Sequence, residues 1–242
     1  MKKIILILLL LIPINLLALE IIQPYQSTYI ITGDKVNQCK YQVSLRYGLF
    51  YPFNTGIFVA YTQKSKWDIY DKSSPFRETN YNPSIFWEKQ NLWKFDFLRI
   101  IPYEHCSNGR DGAENRSIDR WFIEAQISRG DYLNIGIREK TGWYYARARQ
   151  NADIGRYSGK CITELFAQIL SQHGYFGHEK ISFQGEWTTR YYWYQAELSF
   201  RIFTTKFRPH VYIQYYQGYN EFLLTYNQKS RALRGGLIFN PE

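Results

Sequence analysis

Apolar and polar residues alternate along most of this chain, in short segments that polar stretches separate. Within each segment the apolar residues share one parity of residue number. These apolar sets are Ile57, Val59 and Tyr61; Trp121, Ile123, Ala125 and Ile127; Leu133, Ile135 and Ile137; Cys161, Leu165, Ala167 and Ile169; Tyr192, Tyr194, Ala196, Leu198, Phe200 and Ile202; Val211, Ile213 and Tyr215; Phe222, Leu224 and Tyr226; and Leu233, Leu237 and Phe239. Successive side chains of a β-strand point to opposite faces, so the pattern predicts strands with one apolar and one polar face.

The segments between these strands are polar and turn-like, at positions 64–74, 108–116, 147–156, 204–208 and 218–220. Alternating segments of about ten residues that turns separate are the pattern of a transmembrane β-barrel. Closing such a sheet removes the unpaired edges that lipid would not tolerate. A soluble all-β sandwich would alternate in the same way, so periodicity alone leaves both architectures open.

The aromatic content favours the barrel. Phe, Trp and Tyr make up 19% of the residues, and 22 of them are tyrosines; such rings collect at membrane-water interfaces. The mean hydropathy is nevertheless negative, which excludes a bundle of transmembrane helices but agrees with strands whose polar faces offset their apolar ones. We therefore predict an all-β, antiparallel transmembrane barrel of about 12 strands.

The N-terminus differs from the rest of the chain. Lys2 and Lys3 precede the apolar run IILILLLLIPINLLAL, an order typical of a secretory signal peptide. A membrane anchor is the alternative, but the run is short for a bilayer and is interrupted by Pro13 and Asn15. We predict a signal peptide over residues 1–19 and a single domain over residues 20–242.

The net charge narrows the classes of molecule that this protein is expected to bind. A formal net charge of +9 suits an anionic partner. Export argues against nucleic acid, so lipid headgroups or lipopolysaccharide phosphates are the expected partners.

The three cysteines, Cys39, Cys106 and Cys161, leave at least one thiol unpaired. A disulfide between two of them stays open, their spacing indicates no zinc site, and we assign them no catalytic role.

The stretch from Trp93 to Arg120 combines strand alternation with catalytic residue types. Its apolar set at odd positions is Trp93, Phe95, Phe97, Ile101 and Tyr103. His105 and Ser107 continue that parity, so a potential base and a potential nucleophile share the predicted apolar face. Asp119 has the apolar parity of the following strand. On a barrel this face meets lipid; the alternative is that His105 and Ser107 cap a turn into the sequence NGRDG.

Several motifs in this region resemble the outer-membrane phospholipase A family of Gram-negative bacteria. They are YTQKSKW at 61–67, SSPFRETNY at 73–81, HCSNGR at 105–110 and NADIGRY at 151–157. The resemblance covers residues 57–157, and towards the C-terminus it lies mainly in strand pattern. It implies a twelve-stranded outer-membrane barrel with calcium-dependent hydrolysis of phospholipid acyl esters, of the phospholipase A1, A2 and lysophospholipase type.

The resemblance implies catalytic roles for three residues. Ser107 matches the nucleophile, and His105 matches the general base that takes its proton. Asp119 stands where the family has an asparagine that orients the histidine. A carboxylate accepts the same hydrogen bond from imidazole, but its charge is costly in a dry site, so we expect the site near headgroup level. Calcium and the backbone N–H of Gly109 would stabilise the oxyanion.

The same resemblance implies a calcium site at a homodimer interface. Its ligands would be backbone carbonyls that match Arg110 and Asn115, together with a partner-chain hydroxyl that matches Ser73. Asp153 resembles a carboxylate of a second calcium site, whose loop partner is displaced because Gly112 occupies the aligned position. A solvated hairpin connection is the alternative for residues 108–116.

Gln63 is a polar residue on a predicted lipid face. It matches the family's dimer contact, where a hydrogen-bond partner across the interface offsets the cost of an amide in hydrocarbon; a position at the membrane rim is the alternative. The chain is thus predicted to be a homodimeric enzyme that acts on membrane phospholipids. Two other functions stay open at this point: a non-catalytic pore or structural barrel, and a lipid A deacylase.

Overall fold

The computed structural model describes residues 22–33, 39–169, 179–188, 190–201 and 209–239. Strands dominate this part of the chain. In order they are β1 (Ile22–Pro24), β2 (Tyr29–Gly33), β3 (Cys39–Phe50), β4 (Thr55–Trp67), β5 (Phe76–Leu92), β6 (Phe95–Ser107), β7 (Ser117–Arg129), β8 (Leu133–Arg147), β9 (Cys161–Ile169), β10 (Lys180–Trp187), β11 (Tyr192–Arg201), β12 (His210–Gly218) and β13 (Ser230–Ile238). Short 3-10 turns span Gly112–Glu114, Arg149–Asn151 and Ile154–Arg156.

Strands β2 to β13 close into an antiparallel barrel. β2 pairs with β13 on one side and with β3 on the other, and each further strand pairs with the next along the chain. The short β1 continues the same edge of β3, where residues 22–24 pair with residues 45–47. The prediction of an all-β, twelve-stranded barrel is therefore confirmed. The predicted signal peptide and the segment 204–208 lie outside the described residues.

The connections that the structure describes in full differ in length between the two ends of the barrel. One end, which we call the long-loop end, is formed by residues 68–75, 108–116, 148–160 and 219–229. At the opposite end, residues 93–94 make a tight turn between β5 and β6. Outer-membrane barrels place long loops outside the cell and short turns in the periplasm. The long-loop end is thus the outward-facing one.

The outer wall carries the apolar parity that the alternation predicted. Ile57, Ile135 and Leu233 are 42%, 59% and 59% exposed, whereas the inward-facing Phe58 is buried. Apolar side chains on the outside are expected where strands meet lipid instead of water. Among the described residues, no helix is long and apolar enough to cross a membrane.

Charged residues of the opposite parity form ion pairs inside the barrel. A carboxylate oxygen of Glu88 lies 2.9 Å from Arg46 Nη1 and 2.5 Å from Arg99 Nε. Glu104 similarly lies 2.9 Å from Lys140 Nζ. Buried charges are tolerated when they are paired and hydrogen-bonded. This pairing explains how the strands can be polar on the face that points away from lipid.

One strand departs from the predicted alternation, because β6 contains a bulge at Pro102. Ile100 is 43% exposed and Ile101 is fully buried, so the lipid-facing parity switches from even to odd across the bulge. The register of β6 shifts in this interval against both neighbouring strands. Proline has no N–H for the ladder and suits such irregular places. The prediction of one continuous apolar face from Trp93 to Ser107 is therefore wrong.

The predicted strand through Phe222, Leu224 and Tyr226 is also wrong. Residues 219–229 form a series of turns, and Phe222 and Tyr226 are buried, at 3% and 4% exposure. The loop folds into the mouth of the barrel, where Lys64 Nζ donates to the carbonyl of Glu221 at 2.6 Å. Its apolar side chains pack inside the mouth instead of facing lipid.

Candidate active site on the outer wall

The end of β6 and the start of β7 bring the three predicted catalytic residues onto one patch of the outer wall. In the antiparallel register, His105 lies opposite Asp119, and Ser107 lies opposite Ser117. His105, Ser107 and Asp119 are each partly exposed, whereas Cys106 is buried on the inner face. The patch lies at the long-loop end, because β6 ends at Ser107 and continues into the loop 108–116. The three side chains thus face outward near one rim of the barrel.

Hydrogen bonds to one carboxylate oxygen orient the imidazole. His105 Nδ1 and Asp119 Oδ1 are 2.7 Å apart, and the Tyr103 hydroxyl donates to the same Oδ1 at 3.0 Å. With Nδ1 engaged, Nε2 is the ring nitrogen left to exchange a proton. Ser107 is the hydroxyl residue two positions further along the same strand face. The arrangement has the residue types that general-base activation of a serine requires.

The buried side chain of Asn108 shapes the loop that follows Ser107. Its Oδ1 accepts hydrogen bonds from the backbone N–H groups of Arg110, at 3.3 Å, and Arg116, at 3.0 Å. Its Nδ2 donates to the carbonyl of Glu114 at 2.8 Å. Sequence reasoning did not single out Asn108, although the Asn-Gly pair is a turn signal. The loop is thus held in a defined curve immediately after the serine.

Gly109 lies against the ring of Tyr81 on β5. Its φ is +64°, in the left-handed region, where a side chain is disfavoured. A Cβ at this position would also lie 2.8 Å from Cε2 of Tyr81. Both the backbone conformation and the ring of Tyr81 therefore favour glycine at this position.

The predicted calcium ligands lie in two loops of the long-loop end. The guanidinium of Arg110 pairs with Glu114, and the carbonyl of Asn115 accepts a hydrogen bond from Arg116 Nη1 at 2.9 Å. Ser73 is exposed in the separate loop 68–75. The described residues contain no group of three or more His, Cys, Asp or Glu side chains that could hold a metal. A cation here would rely on carbonyl and hydroxyl oxygens, which are donors that suit Ca²⁺.

Asp153, the predicted ligand of a second calcium ion, is engaged within the chain. The hydroxyl of Tyr226 donates to its carboxylate. Burial, and then this carboxylate, raise the pKa of Tyr226 to about 12. Asp153 therefore links the loop 148–160 to the loop 219–229.

Gln63 lies on the outer wall at the level of the candidate site. In the strand registers it is opposite Tyr81, which is in turn opposite Ser107. Its amide donates to the Tyr41 hydroxyl at 2.8 Å and accepts from the Tyr61 hydroxyl at 3.0 Å. The polar groups of Gln63 are thus satisfied within one chain.

The wall behind the site is supported from inside the barrel by what we call the inner brace, formed by Asn151, Ile154, Leu223 and Tyr226. The last three pack with Cys106 and Ile118, the inward neighbours of the catalytic residue types. Asn151 Nδ2 donates to the carbonyl of Ser117 at 3.1 Å, and its Oδ1 accepts from the Ser117 N–H at 3.4 Å. Sequence reasoning missed the inner brace, because its contacts join parts of the chain far apart in sequence.

An ion-pair cluster fastens the loop 219–229 in the mouth. Glu221 lies 3.2 Å from Lys40 Nζ and 2.6 Å from Arg234 Nη1. Burial would raise the pKa of the Glu221 carboxyl, but the attraction of Lys40 and Arg234 outweighs it and holds that pKa well below its usual range.

The cysteines contribute no covalent link, since Cys39, Cys106 and Cys161 are all free thiols.

Comparisons with known proteins agree with this fold. Residues 11–239 match the profile of the phospholipase A1 family. Phospholipase A1 of Klebsiella pneumoniae is 30% identical in an alignment that covers 91% of this chain and 82% of that protein. Phospholipase A1 of Escherichia coli strain K12 is 32% identical in an alignment that covers 84% of this chain and 70% of that protein.

Solved structures share the barrel. The Salmonella typhi outer membrane phospholipase, a dimer with bound calcium, has a TM-score of 0.76 and 26% identity, over 91% of this chain and 92% of that one. The outer membrane phospholipase A of Escherichia coli has a TM-score of 0.76 over 93% of this chain and 97% of that one. Its identity is 24%, so this second likeness concerns the fold alone.

The similarities extend over most of the chain and agree with its closed barrel. Together they identify an outer-membrane β-barrel of a Gram-negative bacterium and a phospholipase, which is an ester hydrolase. The chain therefore belongs to the phospholipase A1 family.

Proposed function

We propose that this protein is a calcium-dependent phospholipase that hydrolyses acyl esters of membrane phospholipids with Ser107 as its nucleophile. The observation that carries the proposal is the 2.7 Å contact between His105 Nδ1 and Asp119 Oδ1, on the outer wall two residues before Ser107. An enzyme that takes its substrate from the surrounding bilayer needs its nucleophile on the lipid side of the barrel. The relatives named phospholipase A1 support the substrate class.

In the proposed reaction, His105 Nε2 takes the hydroxyl proton of Ser107 as the serine oxygen attacks the ester carbonyl carbon. The bond between that carbon and the alcohol oxygen then breaks, and His105 gives its proton to the leaving alcohol. Water next attacks the acyl-serine by the same proton relay and releases the fatty acid. Asp119 keeps Nδ1 protonated and stabilises the imidazolium form.

The loop after Ser107 would stabilise the oxyanion of the tetrahedral intermediate. The backbone N–H of Gly109 is the proposed donor, and losing one such donor typically slows catalysis by about 10²–10³-fold. Carbonyls of Arg110 and Asn115, with Ser73 of the partner subunit, would hold Ca²⁺. The ion, when bound, supplies positive charge that stabilises the same oxyanion. The carboxylate of Asp153 is the proposed ligand of a second calcium ion.

The proposed active form is a homodimer. Gln63 and Tyr81 lie level with Ser107 on neighbouring strands, so an interface centred on Gln63 would place a second barrel beside the site. The Salmonella typhi relative is a dimer with bound calcium. A second copy would both supply the Ser73 hydroxyl and form the other wall of a cleft for an acyl chain.

Fatty-acid release from phosphatidylethanolamine in detergent micelles tests the proposal. We expect the wild-type protein to release fatty acid in calcium and to stop when calcium is chelated. Ser107→Ala should be inactive in both conditions while it keeps the heat-modifiable gel migration of a folded barrel. Hydrolysis by Ser107→Ala at the wild-type rate would refute the assignment.

The same assay resolves the finer specificity. Phospholipids with different chains at the two glycerol positions, and lysophospholipids, would report the proposed A1, A2 and lysophospholipase activities separately. Lipid A offered in competition distinguishes a deacylase of that lipid. Liposome conductance distinguishes a pore, which the inserted loop 219–229 and the interior ion pairs argue against.

A further inference from the structure

Asp119 accepts hydrogen bonds from two residues of β6, and the proposed mechanism uses one of them. The Tyr103 hydroxyl donates to Asp119 Oδ1 at 3.0 Å, the same atom that lies 2.7 Å from His105 Nδ1. Tyr103 is 45% exposed on the outer wall. Packing in a core therefore does not account for its presence beside the carboxylate.

The bulge of β6 brings Tyr103 to this place. Because the parity switches at Pro102, Tyr103 and His105 face outward on the same side of the strand. The carbonyl of Pro102 accepts a hydrogen bond from the Tyr145 hydroxyl of β8 at 2.7 Å, so the bulge is tied across the strand that carries Asp119. Bulges commonly re-aim side chains beside active sites.

The Asp119 carboxylate has few other donors. Its side chain is 26% exposed and thus partly withdrawn from water. The nearest charged residues of β6 and β7, Glu104 and Arg120, bond each other inside the barrel. Among the described residues, Tyr103 and His105 are the side chains that donate to it. Hydrogen bonds to an ionised acceptor are roughly twice as strong as neutral ones, so the second donor matters for holding the carboxylate in place.

We propose that Tyr103 is a positioning residue of this hydrolase, whose hydroxyl fixes Asp119 so that Oδ1 faces the imidazole of His105. This inference rests on the proposed function, because it adds a residue to the same site. Without the hydroxyl, the carboxylate is free to rotate towards water, and His105 spends less time with Nε2 directed at Ser107.

A double-mutant cycle tests the proposal, with kcat and KM measured on phosphatidylethanolamine micelles. Tyr103→Phe should lower kcat by about tenfold and change KM by less than about twofold, since the loss of one hydrogen bond to a charged group is worth about this factor. In the Asp119→Asn background the same replacement should lower kcat by no more than about threefold, because the acceptor is then neutral. Non-additivity of this sign is the expected signature of positioning through Asp119.

Tyr132→Phe serves as the matched control. Tyr132 is 66% exposed near the opposite end of the barrel, and its variant should match the wild type. An unchanged kcat in Tyr103→Phe, a loss confined to KM, or equal factors in both backgrounds would overturn the proposal. These results are distinct from failure of the proposed function, in which Ser107→Ala would keep its activity. Heat-modifiable migration confirms that each variant is folded.

Discussion

At the scale of single residues, Gly109 shows how closely the loop after Ser107 packs against the wall of the barrel. Its left-handed φ of +64° and the ring of Tyr81 both exclude a side chain. Gly112, in the same loop, also has a left-handed φ, of +56°, but a Cβ there would meet nothing within 4 Å. Alanine substitutions at the two glycines therefore distinguish the effect of backbone strain from the effect of displacing the loop.

We predict that Gly109→Ala lowers kcat by about 100-fold, because the methyl group pushes the proposed oxyanion donor away from Tyr81 and out of position. Gly112→Ala carries the left-handed strain alone, roughly 1–2 kcal/mol, and should keep most of its activity. Initial rates of phospholipid hydrolysis by the two variants decide the point. Similar losses in both would mean that the Tyr81 contact does not position the donor.

At the scale of elements, the strands that carry the candidate catalytic residues are supported from inside by loops that fold into the barrel. Leu223 and Ile154 pack on the inward neighbours of the candidate catalytic residues. Leu223 is fixed in turn, since its N–H donates to Asn80 Oδ1 at 3.2 Å. The outer-wall geometry thus depends on interior packing as well as on strand pairing.

Leu223→Ala should therefore reduce activity as well as stability. We expect a loss of about 2–5 kcal/mol for a buried leucine and a fall in kcat of about 10- to 100-fold from small displacements of His105 and Ser107. Leu233→Ala, at a lipid-facing leucine that is 59% exposed, is the control and should leave kcat unchanged. Equal kcat values for the two folded variants would show that the inner brace does not position the site.

The ion-pair cluster of Glu221 predicts how acid loosens the same loop. The pKa of Glu221 is lower in the fold than its unfolded value of about 4.3. Its ionised form therefore stabilises the fold above about pH 4.3, and that stabilisation is lost as the pH falls towards the folded pKa.

Glu221→Gln should cost about 3–5 kcal/mol at pH 7, because Lys40 and Arg234 lose their buried partner. The difference from the wild type should shrink between about pH 4.5 and 3. Urea unfolding in the presence of lipid, followed at several pH values, measures both effects, with Asp131→Asn in an exposed turn as the control. A difference that does not change with pH would contradict this account.

Much of the fold could be predicted from alternation, because a barrel wall imposes the same period on every strand. The outward direction of Asp119 followed from the alternation of β7. His105 and Ser107 do face outward, but the odd-numbered apolar positions of β6 before Pro102, from which that direction was predicted, face inward. A proline within a strand was the available signal. The loop 219–229 was wrongly predicted to contain a strand, because its apolar residues alternate although they are buried against residues far away in the sequence.

At the scale of the whole molecule, the barrel separates two environments and places the candidate chemistry at their boundary. The interior combines paired charges with buried apolar clusters, the outer wall is apolar, and the candidate site lies where the wall meets the long-loop end. Gln63 and Ser107 share one level of that wall. In the proposed homodimer, a second copy docking there would leave Ser107, the proposed nucleophile, between two barrels and within reach of ester bonds in the membrane.

The central claim is that Ser107 is the nucleophile, and a covalent serine-directed probe tests it most directly. A long-chain sulfonyl fluoride should inactivate the wild-type protein in calcium, and mass spectrometry should place a single adduct on Ser107. Ser107→Ala should neither react nor hydrolyse phospholipid. An adduct on another residue with parallel loss of activity, or hydrolysis that persists in Ser107→Ala, would contradict the account.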